Sequence, residues 1–231
     1  MPIKRTYAAH GDACATSHAM ELIGDRWTYP ALRELMLGPK RFSELQATLR
    51  GITPAVLTAR LRELERSGLV QRVTLPAPAG VAAYAITDWA AELRPVFESL
   101  AWWALKSPVR DVAGCGLTPD ATVQSMLTMA PRMRMDPPLD LALHLNDTRV
   151  DGNAEPYAYR LRWAQELSIE RGPAPNPQAT VTGDSSTWTG VLYQNVALES
   201  VAVAGDTAAV ERLVAAFEGV LDAATAPVAA S

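Results

Sequence analysis

The chain has 231 residues, 48% of them hydrophobic and 20% charged, which fits a soluble globular protein with enough length for two domains, each with its own core. No apolar run approaches the roughly 18 residues that span a bilayer, and the start lacks the apolar segment of a signal peptide, so a cytoplasmic protein with no membrane partner is expected. Two cysteines and three histidines, none at ligand spacing, exclude a disulfide framework and leave no basis for a zinc site or other cofactor.

The net charge of −4 conceals two unlike halves. Residues 1–110 carry 14 basic and 10 acidic groups, whereas residues 111–231 carry 7 and 15. The densest basic stretch runs from Lys40 to Arg72, with seven basic residues and three acidic ones, as expected where a nucleic-acid partner is held.

In chain order, helix signals begin near Cys14 and stop at Gly24. Asp25 or Thr28 caps a second helix that ends at Gly38-Pro39, with Pro30 either in its first turn or at a bend. A third helix opens at Arg41-Phe42-Ser43 and ends near Gly51. At its N-terminus, close to Lys40, Arg41 and Ser43, free N–H groups can hold a phosphate.

Thr53 then caps a fourth helix with Pro54 in its first turn and Gly68 as its stop. Leu57, Leu61 and Leu64 form its apolar stripe; at about 100° per residue, Ala55, Thr58, Ala59, Arg62 and Arg66 lie opposite. Alone, this pattern fits any solvated surface helix. After a short helix and a tight Gly-containing turn, it predicts the second member of a helix-turn-helix.

Leu69–Leu75 and Val81–Ile86 alternate as a hairpin around Pro76-Ala77-Pro78-Ala79-Gly80, a wing whose tip has no basic residue. Arg72 at its base is placed to meet a phosphate. Thr87 or Asp88 caps one continuous helix from Trp89 to about Lys106. Its apolar surface, including Val96, Leu100 and Trp103, is too wide for one small domain and calls for a second subunit.

Cys14, MELIGDRW (20–27), LRELMLGPKRFSEL (32–45), GITPAVLTARLRELERSGLV (51–70) and YAIT (84–87) together resemble the HxlR-type winged-helix transcription regulators of bacteria, over about residues 10–105. The resemblance implies a homodimer on double-stranded DNA that sets two copies of Thr53–Gly68 in successive major grooves. Ala at 55 and 59, where relatives more often carry polar groups, leaves Thr58 and Arg62 as the main hydrogen-bonding readers, with alanine methyls available for thymine methyls. The DNA-contacting set expected is Lys40, Arg41, Ser43, Thr53, Ala55, Thr58, Ala59, Arg62, Arg66 and Arg72. Some family members carry a redox-sensing cysteine at the position of Cys14. The helix dipole there would favour a thiolate, and a small residue packing a dimer interface is the alternative reading.

Residues 107–116 read as a linker. Beyond it come a helix capped by Thr118 and two alternating strands, Leu139–Leu145 and Tyr157–Trp163. Shorter strands follow near 166–170 and 178–182, then a helix from Asp184, a segment at 201–203, and a final helix from Thr207 to about Leu221. Helices on one side of an antiparallel sheet make an α+β domain, expected over residues 117–225, after a winged helix-turn-helix domain over 1–106.

The order ATVTGD (179–184), helix, VAVAGDTAAVERLVAAF (201–217) resembles a sterol-carrier-protein domain. That resemblance implies a cavity for an apolar small molecule, with Tyr159, Trp163, Trp188, Leu192 and Phe217 as candidate lining. Ordinary core is the alternative for each. Nothing in the sequence resembles a catalytic set, so no enzyme is expected. The expected function is a dimeric transcription regulator modulated by an apolar ligand. The alternatives are a hydrophobic-ligand carrier dimerised through its N-terminal half, for which the basic stretch has no use, and a regulator switched by oxidation of Cys14.

Overall fold

The fold is that of a computed structural model, which describes residues 7–76, 80–150 and 156–225. The wing tip expected at Ala77-Pro78-Ala79 lies outside the described residues. The chain forms two compact units, residues 1–93 and 94–231.

In the first unit, α1 (Ala15–Ile23), α2 (Thr28–Leu35), α3 (Phe42–Thr48) and α4 (Pro54–Arg66) precede an antiparallel pair, β1 (Val70–Thr74) and β2 (Ala82–Ile86). Pro30 sits in the first turn of α2, where its missing N–H costs nothing. Gly51 at φ 84° makes the turn between α3 and α4, and Gly68 at φ 74° closes α4; both are left-handed positions that suit glycine. Leu32, Leu35, Leu45, Leu57, Leu61, Leu64 and Leu69 are fully buried and form the core on which α4 rests.

The wing is anchored at both ends. Lys40 exchanges two backbone hydrogen bonds with Tyr84 of β2, at 3.0 and 2.8 Å. At the other end, the Thr87 hydroxyl donates to the Gly68 carbonyl at 2.7 Å. The first unit closes with α5 (Asp88–Ala91), capped by the Thr87 hydroxyl, which accepts from the Ala90 N–H at 3.1 Å.

The single helix expected from Trp89 to Lys106 is in fact two: α6 (Arg94–Leu105) starts after a break at Glu92-Leu93. Pro95 explains the break. It has no N–H to donate and its ring would collide with the carbonyl of Ala91, four residues back, so it is tolerated in the first turn of α6 but not inside one continuous helix.

The second unit continues through α7 (Pro119–Met129), β3 (Leu139–Asn146), β4 (Tyr157–Trp163), β5 (Leu167–Arg171), β6 (Ala179–Asp184), α8 (Ser185–Tyr193), β7 (Ala202–Gly205), α9 (Thr207–Phe217) and α10 (Val220–Thr225). Its five-stranded sheet has the order β5-β4-β3-β6-β7. The expected antiparallel sheet is corrected to a mixed one, because β3 and β6 pair in parallel, Leu141 beside Ala179 and Leu143 beside Val181. The final helix is likewise interrupted, at Glu218-Gly219.

Alternation in the strands gives the sheet two unlike faces. Leu139, Leu141, Leu143, Leu145, Tyr159, Leu161, Trp163 and Val181 are buried on the face that α7, α8 and α9 cover. On the opposite face Arg160 grips Asp140 with two hydrogen bonds, at 3.0 and 2.5 Å, and Arg162 meets Glu170 at 3.0 Å.

A candidate DNA-reading face

The first unit's chemistry gathers on the outer side of α4 and the segments flanking it. The Thr53 hydroxyl accepts from the Val56 N–H at 3.3 Å, which fixes the start of α4. Three leucines hold the inner side, so Ala55, Ala59, Arg62 and Arg66 are exposed and Thr58 is half-buried. Arg60, by contrast, turns away from this face and pairs with Asp25 at 2.5 Å and Glu63 at 2.6 Å, tying α4 to the α1–α2 turn.

Of the ten residues expected to meet DNA, the structure brings seven to an exposed surface on α4 or the start of α3: Arg41, Ser43, Thr53, Ala55, Ala59, Arg62 and Arg66. Arg41 is partly engaged, its Nε 3.1 Å from Glu44, whose carboxylate also accepts the Arg41 N–H at 2.7 Å. That carboxylate takes a free N–H at the start of α3 which the sequence offered to a phosphate. Arg72 is exposed but bonded to Glu65 at 2.9 Å and set over the Tyr84 ring, with its guanidinium carbon 5.6 Å from the centroid. Among the described residues, Arg50, Arg62 and Arg66 make no ion pair. Arg50, absent from the expected set, is exposed in the turn before α4, beside Gly51.

Lys40 departs from expectation. Its side chain is 1% exposed and its Nζ lies 2.6 Å from Glu34, so in this fold its charge faces inward, not toward DNA. Arg33 meets the other oxygen of Glu34 at 3.0 Å.

Cys14 is exposed at the N-cap of α1. Hydrogen bonds from the Ser17 N–H, the Ser17 hydroxyl and the Thr16 N–H hold its thiol below the ordinary cysteine pKa. Asp12 fixes the approach, its Oδ1 accepting the Cys14 N–H at 2.8 Å.

In the second unit, Tyr159, Trp163, Trp188, Leu192 and Phe217 are all buried. Trp163 and Phe217 meet edge-on with centroids 5.9 Å apart, and the Tyr159 hydroxyl donates to the buried Asp120 at 2.6 Å. A separate groove of about 510 Å³ is lined by Pro131, Met133, Met135, Arg212, Ala215 and Val220 among others, and includes none of those five. Among the described residues, no group of three or more His, Cys, Asp or Glu could hold a metal, and no helix is long and apolar enough to cross a membrane.

Residues 22–110 match the HxlR-like helix-turn-helix family. The chain is 37% identical over 86 residues to the HTH-type transcriptional regulator YodB of Bacillus subtilis, a match that takes in 37% of this chain and 77% of YodB. It is also 37% identical over 91 residues to YkvN of the same organism, an uncharacterised HTH-type regulator, covering 39% of this chain and 77% of YkvN. Among solved structures, the reduced form of YodB aligns with 33% identity over 42% of this chain and 97% of its own, at a TM-score of 0.39. Quinone-bound and diamide-treated forms of YodB align at 0.35 and 0.34, over 38% and 39% of this chain and 93% and 91% of theirs, with 34% and 33% identity. The helix-turn-helix, its basic outer face, the family match and the identity to YodB lead to one assignment: the chain belongs to the HxlR-like helix-turn-helix family and is a DNA-binding transcription regulator.

Proposed function

We propose that the chain binds double-stranded DNA as a homodimer through α4 and that oxidation of Cys14 switches that binding. The observation that carries the switch is the geometry of Cys14: an exposed thiol at a helix start, with N–H and O–H donors that favour its thiolate. The thiolate is the form that attacks oxidants. With hydrogen peroxide, the sulfur gives its electron pair to one oxygen, the O–O bond breaks, and a sulfenic acid and hydroxide result. The 37% identity to YodB, whose solved forms include reduced, quinone-bound and diamide-treated ones, supports a thiol-based switch.

On α4, Thr58 and Arg62 are assigned to base edges and Ser43, Thr53 and Arg66 to phosphates, with Arg50 added. Val96, Leu100 and Trp103, which is 74% exposed, form an apolar stripe along α6 that supports dimerisation there. Residues 1–106 thus serve DNA binding and dimerisation, 107–116 serve as the linker, and 117–225 form the second domain.

Gel shifts on DNA that the protein selects test the switch. Diamide or peroxide is expected to weaken binding of the natural protein and leave Cys14→Ser unaffected. An equal response in both proteins removes Cys14 from the account.

A second reading gives the C-terminal unit an apolar small molecule, as a sterol-carrier-like domain would take. The groove beside Met133 and Met135 supports it, together with the sheet covered by helices on one face. A rise in melting temperature with a long-chain or sterol-type compound, abolished by Ala216→Glu at a residue that also lines the groove, is the expected result. No shift with either class removes this reading.

A further inference from the structure

The outer face of α4 divides along its length. In its first two turns the exposed side chains are Pro54, Ala55, Val56 and Ala59, so the surface offered there is apolar. Val56 is 42% exposed, on the flank of the helix between Ala59 and the leucine stripe. The Thr53 hydroxyl is occupied with the Val56 N–H. Arg60 turns away to pair with Asp25 and Glu63, which leaves the half-buried Thr58 as the hydrogen-bonding side chain of this part of the outer face. In the later turns Arg62 and Arg66 are exposed and make no ion pair among the described residues.

We infer that α4 selects its DNA by thymine methyl groups, read by Ala55, Val56 and Ala59, next to a guanine read by Arg62. This rests on α4 lying in the major groove. There thymine presents a 5-methyl group, which an apolar side chain can cover without a hydrogen-bond partner, and guanine presents the two acceptors that suit a guanidinium. An apolar surface gains nothing from the donors and acceptors of other bases and would leave them desolvated and unpaired.

Spacing sets the pattern. Ala55 and Ala59 are about 6 Å apart along the helix axis, and Arg62 lies about 4.5 Å further on. With bases stacked about 3.4 Å apart, the methyl-reading part faces about two steps and Arg62 roughly the next one. Each half-site therefore carries adjacent thymines with a guanine one or two pairs beyond.

The full-length protein would select binding sites from a pool of random duplex DNA, and each thymine of the recovered site would then be replaced by deoxyuridine, which differs only by the missing methyl. Two adjacent positions are expected to lose affinity about fourfold each, the worth of one buried methyl. Val56→Ala is expected to erase that difference at one of them; alanine suits a helix better than valine, so the variant does not weaken α4. Retention of affinity within twofold at every deoxyuridine position would overturn the methyl readout and leave DNA binding standing. Failure to enrich any duplex would overturn DNA reading by α4, and the methyl inference with it.

Discussion

Lys40 and Glu34 form an ion pair with both side chains out of water, Nζ to Oε2 at 2.6 Å with 1% and 0% exposure. The pair links α2 to the segment that hydrogen-bonds the wing through Tyr84, so it holds together two parts of the DNA-binding unit. Two desolvated charges cost nearly as much as their attraction returns, and the larger effect appears when one is removed alone.

Lys40→Met should therefore destabilise the protein by about 3–5 kcal/mol, because it leaves Glu34 charged and buried with less compensation. The double variant Glu34→Leu/Lys40→Met should recover much of that loss. Urea denaturation of the two variants measures both effects, and a loss below about 1 kcal/mol in the single variant would show that water enters the site.

Arg62 and Arg66 share a face but differ in expected role. Arg62→Ala should cost about 1–3 kcal/mol of binding at one base pair and relax preference there. Arg66→Ala, at the far end of α4, should weaken all sequences alike and reduce the salt dependence by about one phosphate's worth. Anisotropy titrations over a range of salt, on the selected site and on its single-base variants, separate the two outcomes.

Asp184 caps α8 in the second unit, its side chain accepting from the Ser186 and Thr187 N–H groups. Burial works to raise its pKa, but N–H and O–H donors from Thr148 and the N–H groups of Thr187 and Ser186 prevail and hold it below the ordinary aspartate value. A carboxylate depressed in the folded state stabilises fully above its unfolded pKa of about 3.9, and the contribution is lost as pH falls through the folded value. Asp184→Asn should flatten that part of the acid limb of the stability curve. Asp184→Ala should cost about 0.5–2 kcal/mol at neutral pH as a lost cap. Thermal melts between pH 2 and pH 7, on the order of one per pH unit, test both.

How much of this was legible depends on where the deciding contacts lie. Thr53, Pro54 and Gly68 delimit α4 within one stretch of sequence, and the leucine spacing sets its inner face, so local rules suffice. The break at Glu92-Leu93 was missed, although Pro95 is a local signal against one continuous helix. The parallel pairing of β3 with β6 was not: alternation tells which side chains share a face, but says nothing about which strand lies alongside. Lys40 read as a surface cation because its partner, six residues earlier, reaches it only after α2 and the following turn have folded. Tyr159, Trp163, Trp188, Leu192 and Phe217 were legible as inward-facing, yet periodicity cannot separate a packed core from a cavity wall.

The Cys14 thiol is held below the usual cysteine range by the Ser17 and Thr16 donors. Alkylation by iodoacetamide proceeds through the thiolate, so the rate at Cys14, followed by mass spectrometry of the labelled peptide, should reach half its plateau at a pH below that of free cysteine, about 8.5. Ser17→Ala removes the hydroxyl donor and keeps the backbone N–H, so the midpoint should move up without returning fully to the free value. The group is exposed, so this shift governs reactivity and has little weight in stability. If the natural protein and Ser17→Ala titrate alike at the free-cysteine value, the helix start gives Cys14 no special reactivity, and the switch would have to lie elsewhere in the chain.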